Sequence, residues 1–143
     1  MKIRNARPED AAAIQLLNKE ALGYDYPLEK TREKLEAAYL DETQCILVAE
    51  LDDDIVVGYI HLQNYDTLYF DPMKNVLGIA VFPACRRRGV ATRLMAEAEE
   101  WAVGTGASGI RLTSGTSREE AHAFYLRMGY EEKKLQKNFR KIL

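Results

Sequence analysis

The sequence has little excess charge of either sign and few cysteines. Its 143 residues include 20 Lys and Arg and 22 Asp and Glu, for a formal net charge of −2. A near-neutral balance is not the basic field of a nucleic-acid-binding protein, so we expect no nucleic-acid partner and only local affinity for phosphate. The two cysteines, Cys45 and Cys85, make neither a disulfide framework nor a zinc ligand set. We expect both to be inert, small hydrophobic side chains, and we expect no metal site.

Long apolar runs are also missing. No segment is both long and uncharged enough for a membrane span. The opening MKIRNAR alternates charged and apolar residues where a secretory signal needs an apolar segment, so we expect a cytoplasmic protein with no membrane partner. With 47% hydrophobic and 29% charged residues the chain is too apolar for disorder, and its length predicts a single domain over residues 1–143.

Hydrophobic periodicity predicts strands and helices in the order β-α-α-β-β-β-α-β-α-β-β. The predicted strands cover residues 2–6, 43–51, 55–64, 75–82, 109–113, 130–133 and 137–142. The predicted helices cover residues 8–22, 28–40, 90–104 and 117–128. Helices between strands predict an α/β or α+β domain of three layers, with helices on both faces of a sheet.

One glycine pattern in the chain matches that of dinucleotide-binding proteins but lies between the wrong elements for that function. Residues 104–109, GTGASG, fit the G-x-G-x-x-G pattern of dinucleotide-binding proteins. This segment leaves a predicted helix and enters a predicted strand. A pyrophosphate needs the reverse order, because only a helix N-terminus offers free N–H groups and a positive dipole. We interpret residues 104–109 as a flexible connection.

The segment after the fourth predicted strand has the required order of strand, glycine-containing turn and helix. Its residues are Arg86, Arg87, Arg88, Gly89, Val90, Ala91 and Thr92. Gly89 lets the backbone approach a ligand, and the main-chain N–H groups of residues 87–92 would converge on an anion beside three arginines. The pattern predicts a diphosphate-binding turn. A solvated basic turn and a nucleic-acid patch are the alternatives.

A second motif follows about 30 residues later, at residues 117–130, SREEAHAFYLRMGY. Its apolar side chains fall on one side of a predicted helix, which alone is typical of core packing. Together the two motifs resemble those of the GNAT superfamily of N-acetyltransferases, and the order of elements matches along nearly the whole chain. The matching positions are Arg86-x-x-Gly89-x-Ala91 and Arg118-x-x-Ala121-x-x-Phe124-Tyr125-x-x-x-Gly129-Tyr130.

The resemblance implies an α/β (α+β) fold with a mixed, mostly antiparallel sheet of about seven strands that part between the fourth and the fifth. It implies acetyl-CoA as co-substrate, with its pantetheine arm on main-chain groups of Ile79 and Val81 and its pyrophosphate in the turn. Gly78 would permit the bulge that parts the strands. The implied cofactor-binding residues are Ile79, Ala80, Val81, Arg86, Arg87, Arg88, Gly89, Val90, Ala91, Thr92, Arg118, Ala121, Phe124 and Tyr125.

The implied reaction is direct attack of a primary amine on the thioester carbonyl within a ternary complex. By the resemblance, Tyr125 would be the catalytic residue that donates a hydrogen bond or a proton to the departing thiolate. A packed aromatic ring is the alternative role for Tyr125.

The group that deprotonates the amine is left open by the sequence. An alkylammonium is almost fully protonated at pH 7, so proton removal must be assisted. Many members of the family carry a carboxylate two residues before the position of Ile79, where this chain has Leu77. The alternatives are an amine that arrives neutral and a water relay that ends at His61, Asp66 or Tyr65. A purely structural role is a further alternative for His61.

The first two helices and the loop of residues 65–70 are expected to select the substrate. Tyr24, Tyr26 and Asp66 are the candidate substrate residues, because acids mixed with tyrosines suit a cationic amine. Exposed tyrosines of a dimer interface are the alternative. We expect a small-molecule amine as the partner of a monomer or homodimer. A catalytically weak acyl-CoA sensor and a peptide or protein N-acetyltransferase are the alternative functions.

Overall fold

Five strands form one mixed sheet. A computed structural model describes the backbone of residues 1–143 and every side chain except that of Asp53. Its strands are β1 (Lys2–Asn5), β2 (Gln44–Leu51), β3 (Ile55–Tyr65), β4 (Met73–Val81) and β5 (Ile110–Arg111). They lie in chain order; β1 to β4 pair antiparallel, and β5 pairs parallel to β4. The mixed, mostly antiparallel sheet is therefore confirmed, with five strands instead of about seven.

The prediction of two strands at the C-terminus is wrong. Residues 130–133 and 137–142 are not in strands, and residues 131–143 are exposed throughout. A strand persists only where its main-chain groups pair with a neighbour and one of its faces is buried. Here the few apolar side chains of residues 131–143 are exposed, and no described strand pairs with this segment, so local β character alone does not produce a strand.

Four helices are present, as predicted, with small shifts at their ends. They are α1 (Ala11–Leu17), α2 (Leu28–Tyr39), α3 (Val90–Gly104) and α4 (Glu119–Arg127). A 3-10 turn at Pro8–Asp10 leads into α1, and a π-helical turn at Asn18–Leu22 ends it. None of the described helices is long and apolar enough to cross a membrane.

Helices cover both faces of the sheet. Tyr59 of β3 belongs to one buried cluster with Leu17 of α1 and Leu35 of α2. Gly58 precedes Tyr59 and so presents the opposite face, where a Cβ would lie 3.0 Å from Cγ1 of Val90 in α3. α1 and α2 therefore pack on one face and α3 on the other, as predicted. These elements belong to the unit Met1–Leu112, and α4 belongs to a second unit, Thr113–Leu143.

Candidate active site

The fourth and fifth strands are parted along most of their length. β5 pairs with β4 only at Lys74 and Asn75, near the start of β4. Along residues 76–81, no described strand pairs with that edge of β4. The predicted opening between these strands is confirmed, and it leaves six residues of β4 with one open edge.

A β-bulge lies beside Gly78, where a bulge was predicted. His61 of β3 pairs with Gly78, and the next residue, Leu62, pairs with Val76. Leu77 is therefore the extra residue of β4, and its side chain is 49% exposed. Because a bulge adds one residue to the strand, the main-chain groups after it face the edge opposite to the one they would face in a regular strand.

The bulge directs main-chain groups of β4 into the opening. Before the bulge, the N–H of Lys74 donates to the carbonyl of Gly109 at 3.0 Å, on the β5 side of the strand. After the bulge, the N–H of Phe82 donates to the carbonyl of Val57 in β3 at 3.0 Å, on the opposite side. Because N–H groups alternate along a strand, the N–H of Ala80 points to β3 and those of Ile79 and Val81 point into the opening. These two residues are the ones expected to bind a pantetheine arm.

The turn between β4 and α3 is a row of free main-chain donors. Arg87 and Gly89 have φ values of 64° and 77°, and α3 begins at Val90. Within the described part of the chain, the N–H groups of residues 87–92 donate to no other group. The arginine side chains of residues 86–88 are exposed and form no ion pair with any described side chain. A helix N-terminus with such a turn is a favourable environment for an anion.

Side-chain exposure divides the predicted cofactor residues of the first unit into two groups. Ala80, Val81 and Val90 are 4%, 8% and 3% exposed, so only their main-chain groups are available to a ligand. Ala91 is half-buried and Thr92 is exposed. Any direct side-chain contact at the turn is therefore left to the arginines and Thr92.

A cavity of about 360 Å³ opens beside the bulge. The π-helical turn and the loop after it contribute Asn18, Leu22, Tyr24 and Tyr26 to its lining. The remaining lining residues are Lys34 of α2, Tyr59 and His61 of β3, and Leu77 and Gly78 of β4.

Two of the three candidate substrate residues, Tyr24 and Tyr26, thus line one cavity with His61. Asp66 is exposed after the end of β3 and is not among the lining residues. Sequence reasoning did not select Lys34 or Tyr59. The only signal for Tyr59 was its position two residues before His61 on one strand, which places both side chains on the same face.

The Tyr59 hydroxyl marks the floor of this cavity. It donates a hydrogen bond to Oδ1 of Asn18. A Cβ placed on Gly78 would lie 3.6 Å from the hydroxyl oxygen, so this group lies beside the main chain of β4 at the bulge. Burial raises the pKa of Tyr59 to about 12, although the hydrogen bond with Asn18 opposes the shift. The phenol is therefore neutral at physiological pH; its proton is donated to Asn18, and its oxygen can accept a hydrogen bond.

His61 is a neutral base in the same cavity. Its Nε2 lies 2.8 Å from Oε1 of Gln44, and because that oxygen can only accept, Nε2 carries the proton and Nδ1 keeps its lone pair. Burial lowers the pKa of His61, and the positive charge of Lys34 lowers it further. The imidazole is therefore unprotonated at pH 7 and can accept a proton.

In the second unit, α4 has the two-sided character that its sequence predicts. The half-buried side chains of the helix are those of Ala121, His122, Phe124 and Tyr125, and Met128 directly after it is half-buried too. The helix begins after Arg118, which is exposed, and no side-chain hydrogen bond caps it. The helix predicted over residues 117–128 therefore begins two residues later, at Glu119.

Tyr125 lies in a small group of aromatic rings. Its ring centroid is 5.4 Å from that of Phe124 and 6.2 Å from that of Tyr130, both in edge-to-face geometry. Burial raises the pKa of Tyr125, and the charge of Arg118 opposes part of this shift. The phenol therefore holds its proton at neutral pH, as a hydrogen-bond donor or general acid must.

These features together define an acetyltransferase of the GNAT type. The model of the Acetyltransferase (GNAT) family matches residues 11–130, which is most of the chain. The protein belongs to the acetyltransferase (GNAT) family, and the resemblance seen in its two motifs is confirmed.

Named relatives and a solved structure agree with this assignment. The aminoalkylphosphonate N-acetyltransferase of Salmonella typhimurium is 30% identical over 132 residues, which cover 92% of this chain and 85% of the relative. The uncharacterized N-acetyltransferase YhfO of Bacillus subtilis is 30% identical over 138 residues, covering 92% and 91%. The aminoglycoside acetyltransferase AAC(6')-Iy, in complex with a CoA-containing bisubstrate analogue, superposes with a TM-score of 0.86 at 20% identity over 99% of this chain and 98% of its own. The chain is an acyltransferase with this fold.

Proposed function

We propose that this protein transfers an acetyl group from acetyl-CoA to the primary amine of a small molecule, by direct attack in a ternary complex. The observation that carries this proposal is the arrangement of β4. After the bulge, β4 has an open edge and leads to the donor-rich turn, and a cavity lies beside the bulge. The aminoalkylphosphonate acetyltransferase relative supports a small amine as acceptor, and the CoA-containing neighbour supports the co-substrate.

The residues present in the first unit fit a CoA molecule. Free N–H groups at residues 87–92 and the cationic side chains at 86–88 suit a diphosphate, which carries charge on several oxygens. Ile79 and Val81 offer main-chain groups at the spacing of an added strand, with Ala80 bound to β3 between them. When bound, acetyl-CoA supplies the activated thioester on which the amine acts.

His61 is proposed to remove the proton of the amine through a water molecule. It is the neutral base among the cavity residues, and Leu77 stands where many family members carry a carboxylate. Tyr59 is proposed to orient the acceptor amine or the water by accepting a hydrogen bond at its hydroxyl oxygen. These two side chains take over the task that a β4 carboxylate would perform.

We extend the proposal to the second unit through the motif of α4. The family match runs from residue 11 to residue 130 and so crosses the junction after Leu112, which supports one N-acetyltransferase domain over residues 1–143. Arg118, Ala121 and Phe124 are proposed to serve the cofactor, and Tyr125 to donate its proton or a hydrogen bond to the departing thiolate. The raised pKa of Tyr125 suits that role.

The direct test is release of free CoA thiol from acetyl-CoA in the presence of a panel of primary amines. The proposal predicts saturable release that depends on the amine, with an N-acetylated product in equal amount. A catalytically weak acyl-CoA sensor is a second candidate, and Leu77 at the bulge favours it. The sensor predicts saturable acetyl-CoA binding with no amine-dependent release.

Replacement of His61 tests the proposed base. We expect His61→Gln to lower kcat by about 10²-fold at pH 7, in the range of one general base, with little change in the KM for acetyl-CoA. A base acts only when deprotonated, so wild-type kcat is lost as pH falls through the pKa of His61, which lies below the ordinary value of 6.5. The variant should lack that acidic limb.

His122→Gln is the matched control, because the chain has only two histidines and His122 lies in α4, outside the cavity. It should leave the pH profile of kcat unchanged. If His61→Gln keeps the same acidic limb as the wild-type protein, His61 is not the base.

A further inference from the structure

We propose that the acceptor amine also carries an acidic group, a phosphonate or a carboxylate, and that the ammonium of Lys34 binds it. The inference rests on the proposed function and names the chemical class of its acceptor. It turns on the charges that line the cavity beside the bulge.

The cavity has a cation and no carboxylate among its lining residues. Lys34 supplies the positive charge, while Tyr59 and His61 are neutral at pH 7. In the sequence, acids mixed with tyrosines suggested a cationic acceptor, but neither Asp25, between Tyr24 and Tyr26, nor Asp66 is among the lining residues. The lining instead repels a second positive charge on the acceptor and attracts a negative one.

No neighbour that the structure describes neutralises Lys34. It forms no ion pair with any side chain that the structure describes. Its neighbours one turn away on α2, at positions i−4, i−3, i+3 and i+4, are Lys30, Thr31, Ala37 and Ala38, and none of these is acidic. The ammonium lies 6.0 Å from the ring centroid of Tyr26 and is exposed at the cavity. An unpaired cation at the rim of an acceptor cavity can bind an anionic group.

Hydroxyl donors near Lys34 suit the same ligand. Tyr24 and Tyr26 are 68% and 38% exposed, and both line the same cavity as Lys34, from the loop after the π-helical turn. Phosphonate and carboxylate oxygens accept hydrogen bonds from hydroxyl and ammonium groups together. The acidic end of the acceptor is therefore assigned to Lys34 and these tyrosines, with its amine directed to the bulge and His61.

Acetyl transfer to short amines of similar length but different charge tests this assignment. The acceptors are 2-aminoethylphosphonate, β-alanine, propylamine and 1,3-diaminopropane, assayed with wild-type protein, Lys34→Met and the control Lys30→Met. Lys30→Met removes the same charge one turn earlier on α2, from an exposed residue that does not line the cavity. The two acidic acceptors distinguish a phosphonate site from a carboxylate site.

The wild-type protein should favour one of the acidic acceptors over propylamine by at least tenfold in kcat/KM, with 1,3-diaminopropane the poorest. Lys34→Met should lower kcat/KM for the favoured acid about tenfold, mainly through KM, and leave propylamine within twofold. Lys30→Met should behave as the wild type. Equal losses for every acceptor, no loss for the acids, or a preference for the diamine would overturn the assignment.

Calorimetric titration of 2-aminoethylphosphonate and β-alanine into the protein saturated with CoA separates this inference from the proposed function. Binding that weakens about tenfold in Lys34→Met, without transfer to any amine, supports the anion site and contradicts the transferase. Transfer to propylamine with no effect of Lys34 supports the transferase and overturns the anion site. If the protein shows neither binding of these acids nor transfer to any amine, both the anion site and the transferase are overturned.

Discussion

Tyr125→Phe is expected to lower kcat by about 100-fold or more while the KM for acetyl-CoA stays within twofold. The substitution removes one hydroxyl and keeps the ring, so the edge-to-face contacts with Phe124 and Tyr130 remain. Loss of a general acid costs 10²–10⁴ in rate. Steady-state kinetics of thiol release, at saturating amine, measures both constants.

The matched control for this prediction is Tyr39→Phe, which removes a hydroxyl from a 62% exposed tyrosine at the end of α2. It should leave both constants unchanged. If the ring at position 125 is only packed, Tyr125→Phe keeps full kcat and an unchanged KM, and that result would return Tyr125 to a structural role.

Gly89→Ala is expected to raise the Kd for acetyl-CoA by tenfold or more. Gly89 has a φ of 77°, a conformation that costs an L-residue about 1–2 kcal/mol, although no atom lies within 4 Å of the added Cβ. The chain can relieve this strain by changing the backbone of the turn, and the N–H groups of residues 87–92 then no longer face one anion. Calorimetric titration of acetyl-CoA measures the loss.

Gly106→Ala is the control at the other end of the same helix. Gly106 has a φ of 84°, and a Cβ there also meets no atom within 4 Å, so the two variants carry the same backbone strain. Both should lose about 1–2 kcal/mol of unfolding free energy. Only Gly89→Ala should lose affinity for acetyl-CoA; equal Kd values for both variants would show that the turn does not hold the cofactor.

The features of this site that sequence predicts are those encoded locally. The order of strand, glycine and helix around Gly89 is fixed by adjacent residues, and the structure has that order. Gly78 indicated a bulge, because a strand glycine marks an irregular or closely approached position. The register shows that Leu77 is the extra residue, and this determines which main-chain groups of β4 face the opening.

The cavity could not be predicted in the same way, because its residues come from distant parts of the chain. Asn18, Lys34 and Tyr59 lie on a π-helical turn, a helix and a strand, and only tertiary packing brings them together. The π-helical turn has no signal in the apolar periodicity. The predicted C-terminal strands failed for the converse reason: residues 137–142 look strand-like locally, but pairing and burial decide whether a strand forms.

Amide hydrogen exchange, measured with and without saturating acetyl-CoA, tests the central claim most directly. The claim is that free N–H groups of β4 and the following turn hold the cofactor. The amides of Ile79, Val81 and residues 87–92 should exchange at least tenfold more slowly with acetyl-CoA, while that of Lys74, which already donates to Gly109, should not change. Unchanged exchange at Ile79, Val81 and residues 87–92, under conditions where calorimetry shows acetyl-CoA bound, would contradict the account.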